Sequence, residues 1–224
     1  MSIRSWRQAA IELALIVAGV LIALQASEWQ QNRADRALEI TYLRELEIAL
    51  VADLELFTLR AEQYRGIEAA LVSVLDSLRS GEPYTKSMDE KFGRIFATRS
   101  ARVNKGAYES LKSHGLTLIS NSDLRAEVAR VYEQTYQRIV DTRENEILGM
   151  STYVTPYRVK NFRDIVYGQN ATPLDYDKLV QDVEFHNILD TSLARVRQSQ
   201  IFNYESASVE VESLIESIRN ELEP

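Results

Sequence analysis

The side chains best suited to chemistry in this chain gather around one glycine: Lys112, Ser113, His114 and Gly115, with Ser120 and Asn121 a few positions on. The helical amides that follow Asn121 could receive an anion. The same residues are also ordinary stop and start signals. Gly115 suits the left-handed residue past a helix end, and Ser120-Asn121-Ser122-Asp123 suits the cap of the next helix. That second account needs no chemistry and is the stronger one. Tyr108, Lys112, Ser113, His114, Gly115 and Asn121 are therefore read as an interaction loop.

Elsewhere the residues for catalysis or metal binding are missing. His114 and His186 are the only histidines and there is no cysteine, so a zinc or copper site lacks ligands. Asp175-x-Asp177 has neither the glycine nor the closing glutamate of a calcium loop. No phosphate-binding glycine loop, Gly-x-Ser-x-Gly elbow or His-Glu-x-x-His is present. Arg94, Arg99, Arg102 and Lys105 could hold an anion only if they converged, and they read as a solvated face. Glu144 and Glu146 likewise read as an exposed helix face. The expectation is a protein without cofactor or enzymatic activity.

Composition narrows the partners. The chain has 224 residues, 26 basic and 33 acidic, and a net charge of −7. An acidic body is a poor match to a phosphate backbone, which argues against nucleic acid. With only 8 glycines and 4 prolines, and abundant leucine, glutamate, arginine and alanine, the chain favours helices. Strand-like alternation is brief, Leu116 to Ile119 being its best example.

The element expected to carry everything else lies at the start. Trp6 and Trp29 bracket the only long apolar run. A helix rises ~1.5 Å per residue, so the indoles stand roughly 35 Å apart, about a hydrocarbon core with part of each interface. Nine Leu, Ile and Val residues between Ile11 and Leu24 contribute roughly −4 kcal/mol to insertion, against a cost of ~2.5–3.5 kcal/mol or less for Glu12. A cleaved signal peptide would cut after Ala26, but Glu12 and the bulky Leu24 oppose it. Glu12, Gly19, Ala23 and Ala26 share one stripe, and Gly19 and Ala23 form a small-xxx-small pair that lets two membrane helices approach. Basic residues flank both ends almost equally. The short N-terminal arm with its amino group favours a cytoplasmic N-terminus and an extracytoplasmic bulk.

Beyond Trp29 the pattern predicts one long helix. Leu43, Leu46, Leu50, Leu54, Phe57, Ala61 and Tyr64 recur at spacings of three and four, and Leu71, Leu75 and Leu78 continue them. Gly66 is expected to loosen this helix and Gly81-Glu82-Pro83 to end it. Ser87-Met88-Asp89-Glu90 has capping-box spacing. Further helices are expected over 87–113, 122–165 and 185–222. Pro156 should kink or end the second of these, and residues 168–173 should form a loop.

Two runs carry a resemblance. Glu12…Val17-Ala18-Gly19-Val20-Leu21-Ile22-Ala23-Leu24-Gln25…Trp29 resembles the N-terminal anchor of an uncharacterised bacterial single-pass membrane family. Tyr108-Glu109-Ser110-Leu111-Lys112-Ser113-His114-Gly115, with Leu118-Ile119-Ser120-Asn121 and Leu124-Arg125, is similar to that family's central Tyr-x-x-Leu-Lys-Ser-x-Gly segment. Ile11 and Ser27-Glu28 depart from the pattern, and the C-terminal third carries no shared motif. The resemblance implies topology and no chemistry.

The sequence reading is thus an all-α protein: an arm at 1–8, a transmembrane helix at 9–29, a stalk at 30–42 and an antiparallel helical bundle at 43–224. Trp6, Glu12, Gly19, Ala23 and Trp29 define the anchor. The expected role is a scaffold in the bacterial inner membrane, with the lipid bilayer and a second copy or another membrane protein as partners. A ligand-sensing extracytoplasmic domain signalling through a partner protein is the alternative.

Overall fold

A computed structural model describes the backbone of residues 3–223 and the side chains of residues 12–13 and 15–223. Its first element, α1 (Ile3–Ser80), is an unbroken helix of 78 residues. No proline precedes Pro83, and the helix runs on through Gly66 to the last leucines of its stripe. It stops at the expected glycine. Gly81 takes φ +68°, its amide donates to the Leu78 carbonyl at 3.3 Å and the Glu82 amide to the Ser77 carbonyl at 3.0 Å, a Schellman closure.

Among the described residues six helices and one hairpin succeed one another along the chain as α1, α2 (Met88–Ile95), α3 (Gly106–His114), α4 (residues 122–161), β1 (Phe162–Val166), β2 (Asn170–Pro173), α5 (Tyr176–Gln181) and α6 (residues 183–222). The all-α reading holds, with four local corrections. The helix expected over 87–113 is two short ones separated by an extended loop. The capping box does not form, because Ser87 Oγ sits 2.9 Å from Thr85 Oγ1 and Asp89 turns inward. The expected loop at 168–173 belongs to a bulged antiparallel hairpin that the few alternating residues do not announce. Pro156 does not end α4. A π-turn over Met150–Val154, closed by the Thr155 amide on the Met150 carbonyl, widens the helix just ahead of the proline that lacks a donor.

Two more π-turns, Val131–Thr135 in α4 and Val196–Ile201 in α6, complete the long helices. α6 runs antiparallel to α1, stitched by Arg36–Glu221, Glu47–Arg219, Arg65–Glu205, Glu68–Arg197 and Arg79–Asp190. α4 runs parallel to α1, since Asp53 meets Tyr136 and Glu146 meets Tyr64. The short α2 and α3 carry the chain back between these parallel helices. The stripe Leu43, Leu46, Leu50, Phe57, Ala61 and Tyr64 is buried as the spacing predicts. Asp53, not Leu54, fills its remaining place.

Packing around α1 begins at Arg36 and Glu39. Before that, Leu15, Ile16, Leu21, Ile22 and Leu24 are all more than half exposed. Among the described residues no helix is long and apolar enough to cross a membrane, so the transmembrane helix expected at 9–29 is not shown. The side chains of Trp6, of residues 9–11 and of Ala14, which the expectation also used, lie outside the described residues.

Candidate functional site

The fold carries the interaction loop onto α1 at the point where that helix enters the bundle. α3 ends at Gly115, whose φ of +103° and amide bonds to the Leu111 and Lys112 carbonyls make it the expected stop. A turn of 3₁₀ helix over Leu116–Leu118 then delivers Ser120 and Asn121 to the start of α4. Asn121 caps α4, its Oδ1 accepting from the Asp123 and Leu124 amides at 3.1 and 3.2 Å. Two of the amides an anion would use, those of Asp123 and Leu124, are therefore already occupied.

Glu39 is the centre of this junction. It is 1 % exposed. Its Oε1 accepts from the Ser120 amide at 2.7 Å and the Ser120 hydroxyl at 3.0 Å, while Oε2 accepts from Arg36 Nη1 at 2.7 Å. Arg36 continues to Glu221 Oε1 at 2.9 Å and to the Glu221 carbonyl at 3.1 Å. Asn121 Nδ2 donates to Glu221 Oε2 at 2.9 Å. The hydrogen bond from Asn121, with the Arg36 bond adding to it and burial acting against both, holds the Glu221 carboxyl below the usual glutamate range. The network joins α1, the α3–α4 connection and the end of α6, three places distant in sequence.

The other loop residues spread along α3. His114 lies tilted on the Tyr42 ring at 5.2 Å, with Nδ1 2.9 Å from the Tyr42 hydroxyl and 3.1 Å from the Ser110 carbonyl. Ser113 donates to the Ser110 carbonyl at 2.7 Å, so its proton is committed to the backbone. Tyr108 stacks on Tyr132 at 4.5 Å and, with Lys112, donates to Glu133 Oε1 at 2.8 Å. The hydrogen bond from Lys112 leads the causes that lower the Glu133 carboxyl. The structure thus unites His114, Gly115 and Asn121 at the junction, and ties Tyr108 and Lys112 to α4 one face away. No serine–histidine–carboxylate relay is assembled from these residues. Among the described residues no three His, Cys, Asp or Glu side chains gather to hold a metal. A groove of about 510 Å³ opens beside the junction, lined by Asn32, Asp35, Arg36, Glu39, His114 and Ser120 among others.

The anchor residues stand apart from this site. Gly19 has open space around it, so a side chain there would meet nothing within the chain. Trp29 is 63 % exposed with the Arg33 guanidinium 5.6 Å above its ring. Glu12 and Ala23 are exposed as well. Of the basic run at 94–105, Arg94 pairs with Glu90 of its own helix at 2.7 Å.

Sequence reasoning missed a set of acids bonded to tyrosines, of which Asp53, Glu146 and Asp89 are buried and Asp182 half-buried. Tyr136 donates to Asp53 at 2.6 Å, Tyr64 to Glu146 at 2.7 Å, Tyr84 to Asp89 at 2.6 Å and Tyr157 to Asp182 at 2.7 Å. Burial raises the Asp53 and Glu146 carboxyls, with the tyrosine bonds acting against it. Glu146 corrects the expectation of an exposed face: Glu144 is outside, Glu146 is 3 % exposed. A signal did exist for Glu39 and Asp53, which fall at the three-and-four spacing of the α1 leucines.

A second pattern concerns polar atoms without partners. Buried Tyr132 Oη, Arg138 Nε, Glu146 Oε2, Arg158 Nε and Nη1, Arg195 Nε and Gln200 Oε1 make no hydrogen bond. Each lies inside a π-turn or within four residues of one. Arg60 Nε is the exception. A π-turn adds a residue to one turn and rotates the rest of the helix about its axis, and such turns cluster at functional positions.

Comparison with known protein families, with characterised proteins and with solved structures finds no match to this chain.

Proposed function

We propose that this chain is a membrane-anchored helical interaction protein of the bacterial inner membrane, acting as a scaffold and self-associating through its first helix. One observation carries the reading. The same helix that supplies the core stripe of the bundle continues, without a break, into a segment whose apolar side chains are uncovered on every side. Uncovered apolar surface on this scale marks a lipid or protein partner. Glu12 then sits near one end of the span and Trp29 at the other, with the bundle carried outside the membrane. The saturated junction at Glu39 supports the role of a rigid support, since it welds the emerging helix to α4 and α6.

Carbonate washing of membranes that hold the full chain tests the anchor: retention in the pellet is expected, and release overturns it. Gly19→Leu with Ala23→Leu should weaken cross-linking between copies; undiminished cross-linking removes self-association through that stripe. The ligand-sensing alternative draws its support from the unpartnered polar atoms around the π-turns, which a scaffold does not need.

A further inference from the structure

Arg158 is 2 % exposed, yet it forms no ion pair among the described residues. Its Nε and Nη1 have no partner, and its single side-chain hydrogen bond runs from Nη2 to the Tyr167 hydroxyl at 3.1 Å. The guanidinium is held by aromatic faces instead, 4.6 Å from the Tyr167 ring and 5.7 Å from that of Phe96. Cation–π contact offsets only part of what water gives a guanidinium, and a buried cation without an anion is a costly arrangement.

A groove of about 670 Å³ opens at this point between α4, the end of α2 and the hairpin turn. Its walls include Phe96, Ile147, Met150 and Val159, its charged residues are Arg158 and Lys160, and no Asp or Glu lines it. That volume lies inside the range of small-molecule sites. A cationic, apolar groove is out of character with a chain of net charge −7. Tyr167 touches the guanidinium with both its ring and its hydroxyl, closer than Phe96 does. Tyr167 sits in the hairpin turn and is 72 % exposed, so rotation about its own χ1 can uncover the guanidinium without moving the backbone.

We propose that this groove binds a small monocarboxylate with an apolar body, such as a medium-chain alkyl carboxylate, with Arg158 as the anion receptor and Tyr167 as its cover. When Tyr167 swings aside, Nη2 is freed, and both edges of the guanidinium that include it present two donors. Those edges fit the two oxygens of a carboxylate. Arg158 is the one buried cation of the groove and Lys160 is solvated, so one negative charge balances the buried part of the site, while the apolar walls favour a ligand with a hydrocarbon body. Ile147 and Met150 then receive the hydrocarbon part. The proposal is independent of the membrane reading, since it uses none of the residues before Phe96.

Equilibrium dialysis of radiolabelled octanoate against the full chain in lipid nanodiscs tests it, with empty nanodiscs measuring uptake by the lipid. Saturable binding of about one octanoate per chain above the lipid background is expected, and Arg158→Met should abolish it. Octanol should compete about tenfold less well or worse, since it lacks the charge-assisted bonds. The Arg158→Met chain should also unfold at a higher temperature than wild type when no octanoate is present, because an uncompensated cation has been removed; a purely structural arginine would give the reverse. Binding equal in wild type, Arg158→Met and empty discs overturns the proposal, as does octanol competing as well as octanoate. Should Arg158→Met fail to fold, Tyr167→Ala carries the test: it uncovers Arg158 and must bind octanoate more tightly, and no gain over wild type overturns the proposal.

Discussion

Where α1 enters the bundle, the buried polar groups are all paired: Glu39 takes three donors from two elements, and Arg36, Asn121 and Glu221 close the circuit around it. Around the far half of α4 the arrangement is the opposite. Glu146 keeps one oxygen without a donor, Arg195 and Arg158 keep N–H groups without acceptors, and Gln200 keeps its oxygen bare. Local geometry explains the difference. The junction is made by helix ends, whose free amides and capping side chains are natural partners for a carboxylate. The far half is made by helix interiors interrupted by π-turns, where the backbone has few free groups to offer and side chains must find one another. A saturated network resists change and a bare one awaits a ligand, so stability should respond at the first end and binding at the second.

The largest effect expected anywhere sets a scale for this contrast. Gly93 in α2 lies directly on the backbone of Gln169 and Asn170 in the hairpin, and a Cβ there would overlap main-chain atoms that cannot move aside alone. Gly93→Val should cost about 3 kcal/mol or more in chemical denaturation. It should also disorder the hairpin turn that carries Tyr167. An unaltered midpoint would mean that the hairpin docks loosely and that the far end is soft by design. Next in size is Glu39→Ala at the junction. It leaves the Ser120 amide and Arg36 without their acceptor, and loss of a buried charged acceptor should cost about 2–3 kcal/mol. The equivalent change at the far end, Glu146→Ala, should cost less, because only Tyr64 loses an acceptor and one oxygen was already unpaired. Equal costs for the two would erase the distinction between the ends.

Part of this contrast was legible beforehand. Helix punctuation is local chemistry, so Gly81, Gly115 and Asn121 could be read as stop, stop and start, and the leucine stripe of α1 gave its buried face. The phase of a stripe is less secure. Leu50 to Phe57 can be bridged through Asp53 or Leu54 with spacings of three and four in either order, and hydrophobicity alone selects the leucine, whereas Tyr136 makes the aspartate the inward residue. In α4 the same reading puts Ile147 inside. The structure exposes Ile147 and buries Glu146: Tyr132, Ile139 and Glu146 fall seven apart on the inward face, and hydrophobicity alone selects the isoleucine next to the acid. The pairing of tyrosines with acids from other helices leaves no mark on local spacing. Pro156 does not end the helix for a related reason: a proline forbids a standard turn and tolerates the wider one that precedes it here.

Titration provides a finer comparison of the two ends. Burial raises the Glu146 carboxyl above its unfolded value. A raised acid binds its proton more readily in the folded chain, so its contribution is most favourable below the unfolded pKa and is lost as pH rises through the folded one. Glu146→Gln should therefore gain stability relative to wild type between about pH 4 and pH 7, read from urea midpoints at each pH. A flat difference would show that the carboxylate has found a partner, Arg195 and Arg99 being the cations that act on it.

Glu221 should give the smallest effect and the opposite sign. Asn121 leads the causes that lower its carboxyl, and Arg36 adds to them. A lowered acid contributes stability above its unfolded pKa and loses it as pH falls through the folded one. Glu221→Gln should then be less stable than wild type at pH 7 and approach it below about pH 4, by well under 1 kcal/mol because Arg36 is partly exposed and the pair is screened. High salt should shrink this difference and leave that of Glu146→Gln almost unchanged, since ions reach the junction and do not reach the interior of α4. If both variants tilted the same way with pH, charge at the two ends would be governed by one environment, and the groove at Arg158 would lose its claim to be different in kind from the junction.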